Sequence, residues 1–336
     1  MKTKNLVSSA IVSSLALVAQ SSFGALFSDD FDVNSTANWT VNSNFGGATN
    51  AANFFFDYSV VGIPSAPNSL GGSTRGLKLG ANLLGVSTPS LAGISVSPTG
   101  QSFTGDYTLK FDWWHNWLGN ASGGIGNSAG GSGSTQVSTF GIRTSGSVAN
   151  RVGVSDSVFF AADGDGASSA DYRTYSSEKQ SGYVVGDGHN TYAAGSQNNT
   201  AALYTTLFPA GASAPAAQTG ISPTTQSGLT LAGTAGFRWH DVEINQTGTT
   251  VTWKVDGTLL ATLDTSSLTN ATAGNNILFG MADTSTGAGT PSTIFEQLDF
   301  TLIDNVNVIQ TPEPTTAALT GIGLAALAGF ARRRRN

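Results

Sequence analysis

Two carboxylates stand two residues apart at Asp241 and Glu243, and a looser pair follows at Glu296 and Asp299. Paired carboxylates are what glycoside hydrolysis requires, one as acid and the other as nucleophile or base. Residues two apart on a strand share a face, so Asp241 and Glu243 project together. The spacing of Glu296 and Asp299 puts them on opposite faces. The next position on the first face is Asn245, so no third carboxylate extends that row. Structural or solvent-facing roles are the favoured reading for all four.

A second acidic group is Asp163-Gly164-Asp165-Gly166, followed by Asp171. Calcium takes several hard oxygens, and a glycine-rich loop lets carboxylates and backbone carbonyls converge on one ion. Asp163, Asp165 and Asp171 are therefore candidate calcium ligands. The spacing lacks the third early ligand and the closing Glu of an EF-hand. An ordinary acidic turn is the equal alternative.

Trp113, Trp114 and Trp117 cluster with His115 and Asn116. Sugars bind by stacking apolar faces on aromatic rings while polar groups fix their hydroxyls. Trp113 falls on the apolar face of its strand and belongs to the core. Trp114 faces the other way and Trp117 follows at a loop edge. These two are the candidate ligand-binding residues, against the alternative that all three pack inside. His115, His189 and His240 are scattered, with no paired metal spacing. The Gly-x-Ser-x-Gly pattern at 126–130 sits in a Gly/Ser tract, without the strand and helix that a nucleophile elbow needs.

The elements that must position these residues are strands. Over 107–113, Tyr107, Leu109, Phe111 and Trp113 alternate with polar residues. Further β-rich runs cover 136–143, 157–161, 276–281 and 298–308, and no sustained helical period appears in the body. The stretch 237–263 reads as a meander: a strand over 237–244, a turn at 246–248, a strand over 250–255, an Asp256-Gly257 hairpin turn and a strand over 259–263. A meander with one apolar face needs a second sheet to cover it. The expected fold is all-β, an antiparallel sandwich. Low-complexity inserts at 119–134 and 193–230 predict mobile surface loops.

Only 11% of the 336 residues are charged, and there is no cysteine. Disulfides, thiolate zinc sites and cysteine nucleophiles are thereby excluded. Lys2, Lys4 and Arg332 to Arg335 hold positive charge at the two ends, leaving nine basic against twenty acidic residues in the body over 26–310. Such an acidic body has no basic patch for nucleic acid.

Both ends read as address labels. Residues 1–25 form a signal peptide: Lys2 and Lys4, an apolar run over 10–19, and small residues around Ser22-Phe23-Gly24. Signal peptidase and the secretion machinery are the implied partners. Residues 26–310 make one β-sandwich body. Residues 311–336 make a tail: Pro312-Glu313-Pro314, an apolar stretch over 316–331, then Arg332, Arg333, Arg334 and Arg335. Sixteen helical residues span roughly 24 Å, slightly short of a ~30 Å hydrocarbon core. Snorkelling arginines extend that reach and stay cytoplasmic, so a single transmembrane helix is expected.

This tail resembles the PEP-CTERM sorting signal. The resemblance implies recognition of Pro312, Glu313 and Pro314, with the arginine cluster, by an exosortase. It also implies an exported protein of a Gram-negative-type bacterium that makes extracellular polysaccharide, transiently anchored in the envelope. Trp239, His240, Val242, Val255, Asp256 and Gly257 resemble the LamG-like and concanavalin A-like jelly rolls, as does the opening Asp29-Asp30-Phe31 with Trp39. That resemblance implies two antiparallel sheets, often a calcium ion, and frequently carbohydrate or matrix binding. The laminarinase-like glucanases of that fold carry three carboxylates on one strand, and Asn245 breaks the row here. The functional expectation is a non-catalytic surface or matrix protein that binds extracellular polysaccharide. The alternatives are a polysaccharide-active hydrolase or lyase, and a purely structural matrix component.

Overall fold

The computed structural model describes residues 25–118, 135–166, 168–221, 226, 229–268, 273–287 and 296–311. Residues 1–24 of the signal peptide expected over 1–25, the insert at 119–134 and the sorting tail from Pro312 onward lie outside the described residues. The expected transmembrane helix falls there too. Among the described residues no helix is long and apolar enough to cross a membrane.

The first five strands are β1 (Ala25–Asp29), β2 (Trp39–Ser43), β3 (Ala51–Asp57), β4 (Arg75–Gly80) and β5 (Gly93–Pro98). Next come β6 (Tyr107–Asn116), β7 (Gln136–Thr144), β8 (Val158–Ala162), β9 (Tyr172–Tyr175) and β10 (Asn190–Tyr192). The last five are β11 (Trp239–Thr247), β12 (Thr250–Val255), β13 (Thr258–Asp264), β14 (Asn276–Asp283) and β15 (Phe300–Gln310). They form two antiparallel sheets. A nine-stranded sheet runs β10-β13-β12-β11-β6-β15-β4-β3, with β1 also paired to β15, and a six-stranded sheet runs β2-β5-β14-β7-β8-β9. The chain switches sheets eight times: between β1 and β2, β2 and β3, β4 and β5, β5 and β6, β6 and β7, β9 and β10, β13 and β14, and β14 and β15.

Alternation explains the layering. Leu109, Phe111 and Trp113 of β6, Val242 and Ile244 of β11, and Val251, Trp253 and Val255 of β12 point to one face. They meet Phe140, Phe160, Phe279 and Met281 of the other sheet in one buried cluster. The expected meander is present, and its turn shows why Asp-Gly stands there. Asp256 and Gly257 have φ of 48° and 74°, the left-handed pair that a tight hairpin needs to match strand twist.

The insert over 193–230 is not a bare loop. It holds two short helices, α1 (Ala202–Leu207) and α2 (Ala216–Ile221). Tyr204 of α1 stacks on Tyr172 with centroids 4.2 Å apart, so burial of two aromatic rings orders a segment whose composition alone reads as polar.

Candidate functional site

The side chains of β6 that do not enter the core project from the outer face of the nine-stranded sheet. There Asp241 of β11 is the cross-strand partner of Asp112 of β6, and Asp112 is the partner of Asp304 of β15. Three carboxylates thus form a row across three adjacent strands. Asp112 and Asp304 are fully buried, because the connection from β3 to β4 crosses above them. Asn68 donates to Asp112 through its backbone N–H (3.1 Å) and its Nδ2 (2.7 Å), and Asn305 Nδ2 adds a third bond (2.8 Å). Tyr58 Oη–H and Ser69 Oγ–H both donate to Asp304 at 3.0 Å. Burial pushes the Asp304 carboxyl up to about 7, against the lowering effect of the Ser69 and Tyr58 bonds.

Asp241, at the open end of the row, faces a groove of about 920 Å³. Its cause lies in β15. The β15–β6 register shifts between Asp304 and Asn307, with Asn305 at φ 52°. On the other side of β15, β4 covers only 301–303, and β1 takes over at 306–309. The bulge and the strand change leave a notch. Lys110, Asp241 and Asn307 line its sheet side, Asn68 and Leu70 the crossing connection, and Asp30, Val33 and Ser35 the β1–β2 connection. Ser35 Oγ and Asn307 Oδ1 are buried and have no hydrogen-bond partner.

Asp241 and Glu243 share a face, as their spacing predicts, but their surroundings differ. Glu243 is gripped by Lys254 Nζ at 2.8 Å and Lys110 Nζ at 3.1 Å. Burial acts to raise its pKa, and the two lysines outweigh it, so the pKa is lowered. Burial raises that of Asp241, with Asp112, Asp256 and Glu243 adding to the effect and Lys110 opposing it. A firmly ionised Glu243 between two lysines is no proton donor. Of the other pair, Glu296 is exposed and Asp299 buried.

The tryptophan expectation needs correction. Trp114 and Trp117 are 4% and 0% exposed. Both join Tyr58, Phe237 and Phe300 in a second apolar cluster. Trp117 stacks on Phe237 with centroids 4.9 Å apart, and Trp114 meets the edge of Trp239. Neither offers an open ring face to a sugar. Trp114 does face away from the main core, as alternation requires, but it is covered by a second layer.

Asp163, Asp165 and Asp171 are all buried. The Asp163 N–H donates to the Asp171 carbonyl (2.8 Å), and the Asp165 N–H donates to Asp163 Oδ1 (3.0 Å). Asp171 Oδ2 accepts from the Asn199 N–H, and its Oδ1 has no partner. Burial first, and the Asp163 charge second, push Asp171 up to about 7. The unpaired, buried acceptor oxygen fits a hard cation. A side-chain cage does not form, since among the described residues no three His, Cys, Asp or Glu side chains are grouped to hold a metal. An ion here would therefore rest on two carboxylates with backbone oxygens.

His115 and His240 serve the interior. His240 Nδ1 bonds Asp256 Oδ2 (2.7 Å) and its Nε2 bonds the Ala235 carbonyl (2.8 Å). Asp256 also accepts from the Asp241 N–H at 3.0 Å, which ties the Trp-His strand to the Val-Asp-Gly turn. His115 Nδ1 bonds Ser138 Oγ at 2.7 Å, a serine–histidine pair that single-sequence reading does not reveal. Both residues have no exposed surface, so no substrate reaches them. Burial lowers the His115 pKa to about 3.

Residues 310–335 match the family described as the PEP-CTERM protein-sorting motif. The chain carries that sorting motif at its C-terminus, and the motif implies exosortase processing of an exported, membrane-anchored protein. No curated protein matches the chain. Among solved structures the chain is similar to a Bacillus subtilis protein of unknown function with a galectin-like fold. That match has 7% identity, covers 86% of this chain and 97% of that one, and has a TM-score of 0.42. It is also similar to a Bacillus licheniformis β-glucanase, at 11% identity, 86% and 99% coverage and a TM-score of 0.37. A third is the carbohydrate-binding module CBM66 from Bacillus subtilis, at 9% identity, 81% and 96% coverage and a TM-score of 0.34. Likeness at these scores carries no argument about activity, and the sandwich is read from the strand pairing itself.

Proposed function

We propose that this is an exported surface protein, processed by an exosortase at its tail, whose sandwich binds extracellular polysaccharide in the groove beside β15. The sorting motif supports the destination. The observation that carries the binding reading is the open groove of about 920 Å³ with Asp30, Asn68, Lys110 and Asp241 among its lining residues. Polyhydroxylated chains present donors and acceptors along their length, which polar walls of this kind can pair. The body is read as non-catalytic because Glu243 is held ionised between two lysines, and the Asp112 and Asp304 carboxylates lie beneath the covering connection.

Calcium enters this reading as a brace for the acidic loop through Asp163 and Asp171, away from the groove. A hydrolase or lyase is the competing reading, and it draws on Asp304, a carboxyl with a raised pKa beside Asp112. A glycan array probed with the full-length chain separates the two. Retained glycan without release of reducing or unsaturated sugar supports the binding reading, and release supports the competitor. A blank array removes the binding reading.

A further inference from the structure

We infer that β2 is a self-association edge, where the chain pairs with a second copy of itself, antiparallel and two-fold symmetric about Val41. β2 ends the six-stranded sheet and pairs with β5 alone. The Thr99 N–H donates to the Asn38 carbonyl (2.8 Å), and the Asn44 N–H donates to the Gly93 carbonyl (3.3 Å). Bonds of this kind recur at every second residue of an antiparallel strand. Thr40 and Asn42 therefore face β5, and Val41 and Ser43 turn their N–H and carbonyl groups to the free side. The Trp39 carbonyl joins them, while its N–H is taken by the Thr36 carbonyl. Val41 shares the inward face of Trp39 and opposes the fully buried Val96, yet it is 47% exposed. The core is open at this margin.

Exposed edges are normally blunted by shortness, bulges, charges or a covering segment. The other end strands follow that rule. β10 has three residues. β1 and β3 each carry a register shift and finish on a carboxylate, Asp29 or Asp57. The Thr174 carbonyl of β9 accepts the Tyr183 N–H at 2.8 Å. β2 keeps a regular register and contains neither proline nor charge. No charged residue occurs from Val33 to Phe56, or from Leu79 to Gly105, the segment that holds β5. In an acidic body, which repels its own copies, β2 and β5 thus bring no like charges together. A two-fold axis at Val41 makes the edge its own complement. Each Val41 exchanges N–H and carbonyl with the second copy's Val41, and each Ser43 N–H meets the second copy's Trp39 carbonyl. The two Val41 side chains then lie side by side and close the open margin of the core.

The test is sedimentation velocity of the full-length chain over a concentration series, in a detergent that covers its apolar tail. Wild type is compared with Val41→Lys, with Val41→Glu, and with an equimolar mixture of the two. The expected result is a concentration-dependent wild-type dimer. Each variant alone associates at least roughly tenfold more weakly, because like charges meet across the axis. The mixture regains the dimer, because opposite charges then meet there. A thermal melt confirms folding of each variant. Hydrogen exchange of the wild type adds a readout that needs no variant: protection of the Val41 amide is expected to rise with protein concentration. A wild-type monomer throughout the series overturns the inference. So does a dimer that both substitutions leave intact, a mixture that stays monomeric although both variants fold, or a Val41 amide whose exchange ignores concentration.

Discussion

Ala25, the first residue of β1, is the cross-strand partner of Ile309, the penultimate residue of β15. Ala25 and Gln310, which adjoin the expected signal peptide and the sorting motif, therefore lie at the same end of the β1–β15 pair. No free linker separates the body from the motif. The Thr311 N–H still donates to the Asp106 carbonyl at 2.9 Å, and Pro312 is the next residue. β6 starts at this end with Tyr107, the partner of Gln310, and finishes at Asn116, so the opposite end of the strands carries the second apolar cluster.

Replacing Pro312, Glu313 and Pro314 with alanine is expected to block tail processing while leaving the body folded. Mass spectrometry of C-terminal peptides checks this. Wild-type protein on the cell surface is expected to lack residues 332–335, and the variant to retain them in the membrane fraction. A tail lost equally from both would show that the motif is not what is read.

The interior depends on the aromatic layer between the sheets. Trp253 has no exposed surface and packs against Phe140 and Phe160. Trp253→Ala is expected to cost about 3–5 kcal/mol in denaturant unfolding, by lost transfer energy plus cavity. A cost under about 1 kcal/mol, the range of a surface change, would contradict this packing.

Asp304 gives a pH dependence with a definite sign. Its folded-state pKa of about 7 lies above the ordinary 3.8. The folded protein therefore holds this proton more tightly than the unfolded chain. The stability it contributes is complete below pH 3.8 and is lost as pH rises through about 7. Asp304→Asn is expected to flatten the decline in urea midpoint over that window. An unchanged slope in the variant would remove Asp304 as its source.

Calcium is expected to raise the unfolding temperature of the wild-type chain, because a ligand that binds only the folded state stabilises it by mass action. Asp171→Asn takes away a carboxylate of the acidic loop and is expected to abolish the calcium effect. A melting curve identical with calcium and with chelator in the wild type would end the role proposed for the ion.

Much of the sandwich was legible in sequence because period-two alternation is local. β6, β7, β8 and the β11–β13 meander fall where apolar alternation and the Asp-Gly turn put them. The shared face of Asp241 and Glu243 followed from the same rule. The groove was not legible. It arises from a bulge in β15 and from the handover between β4 and β1, strands separated by more than two hundred residues from their partner. Nor could alternation distinguish an outward Trp114 that meets water from one covered by a second apolar layer. The covering residues, Tyr58, Trp239 and Phe300, come from three distant segments.

The most direct test fills the groove and asks whether binding goes with it. Ala37 is exposed and lines the groove from the β1–β2 connection, so Ala37→Trp adds bulk without entering the core. The measurement is the affinity of the full-length variant for the oligosaccharide that the wild type retains, with a melt to confirm folding. A loss of roughly tenfold or more at unchanged unfolding temperature is predicted, equivalent to about 1.4 kcal/mol of binding energy. Undiminished affinity in a folded variant would contradict the assignment of this groove.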